Sequence, residues 1–366
     1  MPNSRSLNTG ETEFGGEVRE TMSARIVDQA PAVTYFVELL EKFKSRLYDP
    51  NKPIGCSLFT GPSGTGKTFL TEVFAESIQP RALRDWRKNM MKVDCGEFQH
   101  SHEISKLIGS PPGYLGHRET KPMLAPERIR DLQGLNPIST AYANDDYPFA
   151  IILWDEIEKA SDSLWNILLG IFDHGTLMLG NNESVDMRKT IHIMTSNIGF
   201  SEGKDGLGFN PCDLSTNAET VHRGIEAAKR KFSVEFINRL DGVIGFTALD
   251  RKAIARVLKL ELGKLQFEIF AQCTPNVLFS VTGRAQRALL EEAYDPKYNA
   301  RLVKRVIDKH LRLKLARIIG SKQILPSEGI HVDYVAGEYA FEAVAARALG
   351  FIIHGSKEDL AQGDKL

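Results

Sequence analysis

Cysteine is scarce: Cys56, Cys95, Cys212 and Cys273 are the only four in 366 residues, far apart and with no Cys-x-x-Cys pair. That spacing argues against a zinc site and fits a reducing, cytoplasmic setting. No apolar run approaches the length of a membrane span. Residues 1–23 lack the apolar segment of a secretory signal. Net charge is also lacking, since 46 Lys and Arg face 47 Asp and Glu, a formal −1. Composition therefore gives no nucleic-acid or membrane footprint and leaves open only a local basic groove. No internal repeat is present. What remains is 42% hydrophobic and 25% charged, close to the globular average. The chain is long enough for one large or two modest domains with a real core.

The apolar residues come in two textures. Runs at 56–60, 91–94, 149–154, 191–195 and 242–246 are short and continuous, as strands buried on both faces are. Helical spacing separates them, over 30–47, 69–78 and 164–172. Buried strands alternating with helices predict an α/β fold with a parallel sheet flanked by helices. From Asp250 onward, Ile254, Val257, Leu258, Leu262 and Leu265 mark one helix face. Two further helices fit 283–294 and 299–319, with short strands near 276–280 and 329–334. The expected organisation is a disordered leader over 1–24, rich in Ser, Thr, Glu and Gly, and a large α/β domain over 25–248. A small, mainly helical domain with short strands follows over 249–343, then a tail over 344–366.

Gly61-Pro62-Ser63-Gly64-Thr65-Gly66-Lys67-Thr68 follows a predicted strand and opens a predicted helix. In that setting glycines let backbone N–H groups wrap phosphates, and the helix N-terminus adds a favourable field. Lys67 can reach the β and γ phosphates of ATP, and the Thr68 hydroxyl can ligate Mg²⁺. Ile151-Ile152-Leu153-Trp154-Asp155-Glu156 then places two acids at the end of an apolar strand, where ligands of parallel sheets sit. Asp155 would hold the metal and Glu156 would polarise the attacking water. Asn197 ends another apolar strand and is either a water-positioning amide or a turn residue.

With these spacings the chain resembles the AAA+ ATPases, and more narrowly the C-terminal ATPase module of the Clp unfoldases, the ClpA, ClpB and ClpC group. The resemblance runs over about 26–335. It implies adenine-side contacts at Ile26 and Val27, although Asp28 stands where the family usually has Gly. It implies a substrate-gripping pore loop at Gly113-Tyr114-Leu115-Gly116, with Tyr114 as the gripping aromatic. Phe236-Ile237-Asn238-Arg239-Leu240-Asp241 resembles the arginine-finger segment, so Arg239 would reach the γ phosphate of the next subunit. Ser233-Val234 replaces the family's Arg-Pro just upstream. Tyr298-Asn299-Ala300-Arg301 resembles the second sensor, with Arg301 touching nucleotide and Asn299 in place of Gly. Leu207-Gly208-Phe209 is either the tripeptide that docks members on the Clp peptidase or a plain Gly-rich loop. The stretch 124–148 is longer than expected before the Asp155 strand.

The resemblance thus implies an ATP hydrolase acting as a ring, expected to be a hexamer. Such a ring threads unfolded or tagged proteins through a pore and feeds the Clp peptidase where the docking tripeptide is real. Two alternatives stand beside it: an ATP-binding regulatory partner of a Clp ring, and a nucleic-acid-remodelling motor. Near-neutral charge and the aromatic loop disfavour the second.

Overall fold

The computed structural model describes residues 10–79, 90–110, 121–135, 149–200, 217–273, 277–295, 298–325 and 327–346. By contacts the chain divides into two units, one of 1–62 and 66–247, the other of 63–65 and 248–366.

The first unit is built on five strands: β1 (Gly55–Thr60), β2 (Met90–Asp94), β3 (Ala150–Asp155), β6 (Thr190–Ser196) and β7 (Gly242–Gly245). They pair in the order β2-β3-β6-β1-β7, and every pairing is parallel. Alternate residues serve opposite faces. Leu58, Ile152, Trp154 and Met194 enter one core, with Leu164, Leu168 and Phe172 of the helix Asp162–His174. Phe59, Ile151, Leu153, Ile191 and Ile193 enter the other. There they meet helices α1 (Glu13–Ser23), α2 (Ala30–Lys44) and α3 (Lys67–Ser77). Burial on both faces is why β1, β3 and β6 read as unbroken apolar runs. Phe36 of α2 stacks on Phe74 of α3 with ring centroids 4.0 Å apart, and Phe59 meets Phe36 edge-on at 5.6 Å. A short hairpin, β4 (Thr176–Met178) and β5 (Ser184–Asp186), separates the helix Asp162–His174 from β6.

Helix α1 corrects the sequence reading of a disordered leader. Thr12 caps it, its hydroxyl accepting from Gly15 N, and Val18 and Met22 are buried one turn apart. The first turn lies so close to α2 that a Cβ on Gly15 would meet Val37 and the Glu41 carboxylate. Helix α2 stops at Lys44 rather than reaching Leu47, which is exposed. Of the long stretch before β3, residues 126–135 form the helix Pro126–Leu135, and 136–148 lie outside the described residues.

The second unit carries the helices Arg251–Gln272 and Gly283–Ala293, capped by the side chains of Asp250 and Thr282. Its strands β8 (Phe279–Val281), β9 (Glu328–Val335) and β10 (Glu338–Ala345) pair in the order β10-β9-β8. Strand β10 runs to Ala345, into the segment read as tail. The helix expected over 299–319 is instead Arg301–Ile307, a π turn over Asp308–Arg312, and Leu313–Gly320. Among the described residues no helix is long and apolar enough to cross a membrane.

Candidate nucleotide site

In a parallel sheet every strand delivers its last residue to the same edge. Here β1 runs directly into the loop 61–66, β3 ends at Asp155, and β6 ends one residue before Asn197. Helix α3 begins at Lys67, and its N-cap Gly66 sits at φ 97, a left-handed conformation that costs glycine little. Gly61 is constrained by closeness: a Cβ there would lie 2.7 Å from the Phe246 carbonyl.

Lys67 is only 6% exposed. Its ammonium donates to Gly61 O and Pro62 O, each at 2.8 Å, and to Asn197 Oδ1 at 2.9 Å. Asn197 in turn donates from Nδ2 to Glu156 Oε1 at 3.3 Å, and its backbone N donates to Glu158 Oε1 at 2.9 Å. Glu156 occupies a left-handed backbone conformation at φ 58, and its N–H donates to Thr195 Oγ1 at 3.0 Å. Its carboxylate also pairs with Lys159.

Asp155 gathers a second set of donors. Its Oδ1 accepts from Thr68 Oγ1 at 3.0 Å and from Thr195 Oγ1 at 2.5 Å, while Oδ2 lies 2.9 Å from Lys92 Nζ. Burial opposes its ionisation. Hydrogen bonds from Thr195, Lys92 and Thr68, with the Lys92 charge, outweigh burial and hold the carboxyl below its ordinary value. An ionised carboxylate 3.0 Å from a threonine hydroxyl at a helix N-terminus is an all-oxygen donor set of the kind Mg²⁺ takes.

Five residues singled out in the sequence therefore converge: Lys67, Thr68, Asp155, Glu156 and Asn197. Arg239 does not join them. It precedes β7, and its neighbour Asp241 is tied to the start of β1, with Asp241 N on Cys56 O at 2.7 Å and Cys56 N on Asp241 Oδ2 at 2.6 Å. Strand β1 spans six residues from that edge to the loop 61–66, on the order of 20 Å. Ile26 and Val27 are half-buried, Ile26 packing on the α2–α3 core. Asp28 adopts φ 56, a conformation that Gly would take freely and that Asp tolerates better than most residues.

In the second unit Arg301 opens the helix Arg301–Ile307. Asn299 there is at φ 47 and buried, donating from Nδ2 to Ser63 O and accepting at Oδ1 from Leu249 N, both at 3.0 Å. Tyr114 and Leu207-Gly208-Phe209 lie outside the described residues. Sequence reading passed over Lys92, Thr195, Glu158 and Lys159. A lysine inside the apolar run 91–94 was the one available signal for Lys92.

Residues 52–243 match the family described as AAA domain (Cdc48 subfamily), more than half of the chain. The chain belongs to this family. Residues 249–332 of this AAA chain match the C-terminal, D2-small domain of ClpB protein. The ATP-dependent Clp protease ATP-binding subunit ClpC of Staphylococcus epidermidis is 31% identical over 339 residues, 92% of this chain and 38% of that protein. ClpC of Staphylococcus aureus (strain USA300) is 32% identical over the same shares. The AAA chain thus spans well under half the length of these curated relatives. Among solved structures, a closed-state cryo-EM reconstruction of Hsp104 with ATPγS and FITC casein superposes with a TM-score of 0.72 at 26% identity. That match covers 92% of this chain and 53% of the Hsp104 chain. The two family matches thus follow one another along the chain, an AAA domain and then a D2-small domain.

Proposed function

We propose that this chain is the ATP-hydrolysing module of a ring-forming protein unfoldase, using ATP with Mg²⁺ to draw polypeptide through a central pore. The observation that carries the reading is the convergence of Lys67, Thr68, Asp155, Glu156 and Asn197 at one sheet edge while Arg239 stands at the other. Lys67 supplies positive charge to the β and γ phosphates. Thr68 and Asp155 hold Mg²⁺, which when bound neutralises phosphate charge in the transition state. Glu156 takes the proton of the attacking water, and Asn197, bonded to both Lys67 and Glu156, aligns base and phosphate. Arg239 completes the site of a neighbouring copy, which requires head-to-tail assembly, in a ring of six on the family pattern.

The relatives support the output side. The ClpC proteins are named as ATP-binding subunits of a protease, and the Hsp104 structure was solved with casein. Tyr114 is the proposed polypeptide grip, Arg301 the sensor carried by the second unit, and Ile26 and Val27 the adenine contacts. Leu207-Gly208-Phe209 is the proposed contact with the Clp peptidase.

Glu156→Gln is expected to lower ATP turnover by at least about 100-fold while ATP affinity stays within a few-fold. Phosphate release and a fluorescent-nucleotide titration measure the two separately. Ordinary turnover in that variant refutes the water-activation role. Tyr114→Ala is expected to keep ATP turnover yet abolish ATP-driven unfolding of a tagged substrate; unfolding at the wild-type rate removes the pore-loop role.

A further inference from the structure

Arg239 is held at a fixed place in the chain but could point in many directions. Phe236 is buried in the core and packs against Phe172 and Phe232, and Asp241 is bonded to Cys56 on β1. The backbone of the segment is therefore anchored on both sides of Arg239. The side chain is 38% exposed, long and rotamer-rich, so its direction needs a separate cause. That cause is visible in Asp173, whose Oδ1 lies 2.5 Å from Arg239 Nε. Asp173 follows Phe172, so the core contact of Phe172 with Phe236 fixes the two partners to one another. Among the described residues, neither terminal nitrogen of Arg239 has a hydrogen-bond partner. Gripping the guanidinium by Nε leaves its two-pronged end free for phosphate oxygens. Asp173 also sits in the last turn of the helix Asp162–His174, where the helix dipole disfavours a carboxylate. Helix stability does not account for an acid there.

We propose that Asp173 is a positioning residue for Arg239: it holds the guanidinium by Nε and aims the free end at the nucleotide of an adjacent copy of this chain. The proposal rests on the reading of Arg239 as a group acting between copies, and the test separates the two. A Lys67→Ala chain keeps the finger but lacks a competent phosphate loop; an Arg239→Ala chain keeps the loop but lacks the finger. Mixed full-length chains regain ATP turnover wherever the first lends Arg239 to the second. Asp173→Ala added to the Lys67→Ala chain is expected to lower the regained kcat about 10-fold with KM for ATP unchanged. Added to the Arg239→Ala chain instead, it is expected to shift the regained rate by no more than about twofold. Asp173→Glu in the first chain is expected to restore part of the loss. Because half-exposed ion pairs add little stability, the thermal midpoint of Asp173→Ala should stay within about 2 °C of the parent. Where it does not, Asp173→Asn, nearly the same shape without the charge, takes its place in both arms. Equal losses in the two arms, or no loss in the first, overturn the positioning role. A parent mixture that regains nothing overturns the action between copies, and the proposal with it.

Discussion

Thr195 does two jobs with one hydroxyl. Its proton goes to Asp155 Oδ1, and its lone pair accepts the backbone N–H of Glu156. It therefore ties the Asp155 carboxylate to the backbone that carries Glu156, and it is 2% exposed. Thr195→Val keeps the shape and removes both links, leaving the partly buried Glu156 N–H without its acceptor. The expected cost is about 1–3 kcal/mol in urea unfolding. Hydrolysis should fall as well, because the φ 58 conformation of Glu156 loses its support. Asp155 adds a pH signature. Its folded pKa lies below the unfolded one, so its stabilisation is present above the ordinary carboxylate range and fades as pH falls through the folded value. Lys67, Thr68, Asp155, Glu156 and Asn197 were legible in the sequence because each stands at the end of a recognisable strand or the start of a helix. Lys92 and Thr195 were not. They reach Asp155 and Glu156 only because β2 and β6 flank β3, and strand order is not written in a linear sequence.

The strands were legible because double-sided burial imposes an unmistakable composition, and the elements that rely on single contacts were not. Helix α1 buries only Gly15, Val18 and Met22, so its sequence resembles a polar leader. Strand β10 follows a two-residue turn, Ala336-Gly337, with φ 52 and 90, and its last two residues run past the boundary expected at 343. In the helical segment 301–320, Val303, Ile307, Leu311 and Leu315 are all buried and recur every four residues. An α-helix turns in about 3.6 residues, so a strict spacing of four drifts off one face. The π turn at Asp308–Arg312 takes up that drift. In β6, His192 is wholly buried between Trp154 and Phe172. Trp154 Nε1 donates to its Nδ1 at 3.1 Å, so the ring proton sits on Nε2, 2.7 Å from Thr190 Oγ1. Burial pushes its pKa down to about 3. The unfolded chain therefore binds this proton first, and stability should fall as pH drops from about 6.5, by up to about 1.4 kcal/mol per pH unit. Urea midpoints from pH 7 to 5 measure the slope. His192→Asn should flatten it; an unchanged slope assigns the acid sensitivity elsewhere.

The first unit has two ends with different chemistry. Lys67, Thr68, Asp155, Glu156 and Asn197 crowd the edge where the strands finish, and Arg239 with Asp173 occupies the edge where they begin. A lone copy on this reading holds half of two sites and the whole of none. ATP turnover per chain is expected to rise steeply with protein concentration and to level off as assembly completes, with sedimentation velocity tracking the same transition. Constant specific activity from nanomolar to micromolar chain would remove the need for a second copy.

The parallel sheet sets one further property. With every strand pointing the same way, a circle of such units has a sense of rotation, as a ring of people each resting a hand on the next person's shoulder does. Each copy hears from one neighbour and speaks to the other. A single chain crippled at Lys67 and a single chain crippled at Arg239 would silence sites on opposite sides of themselves, so placing the two side by side in one order disables one site and in the reverse order two.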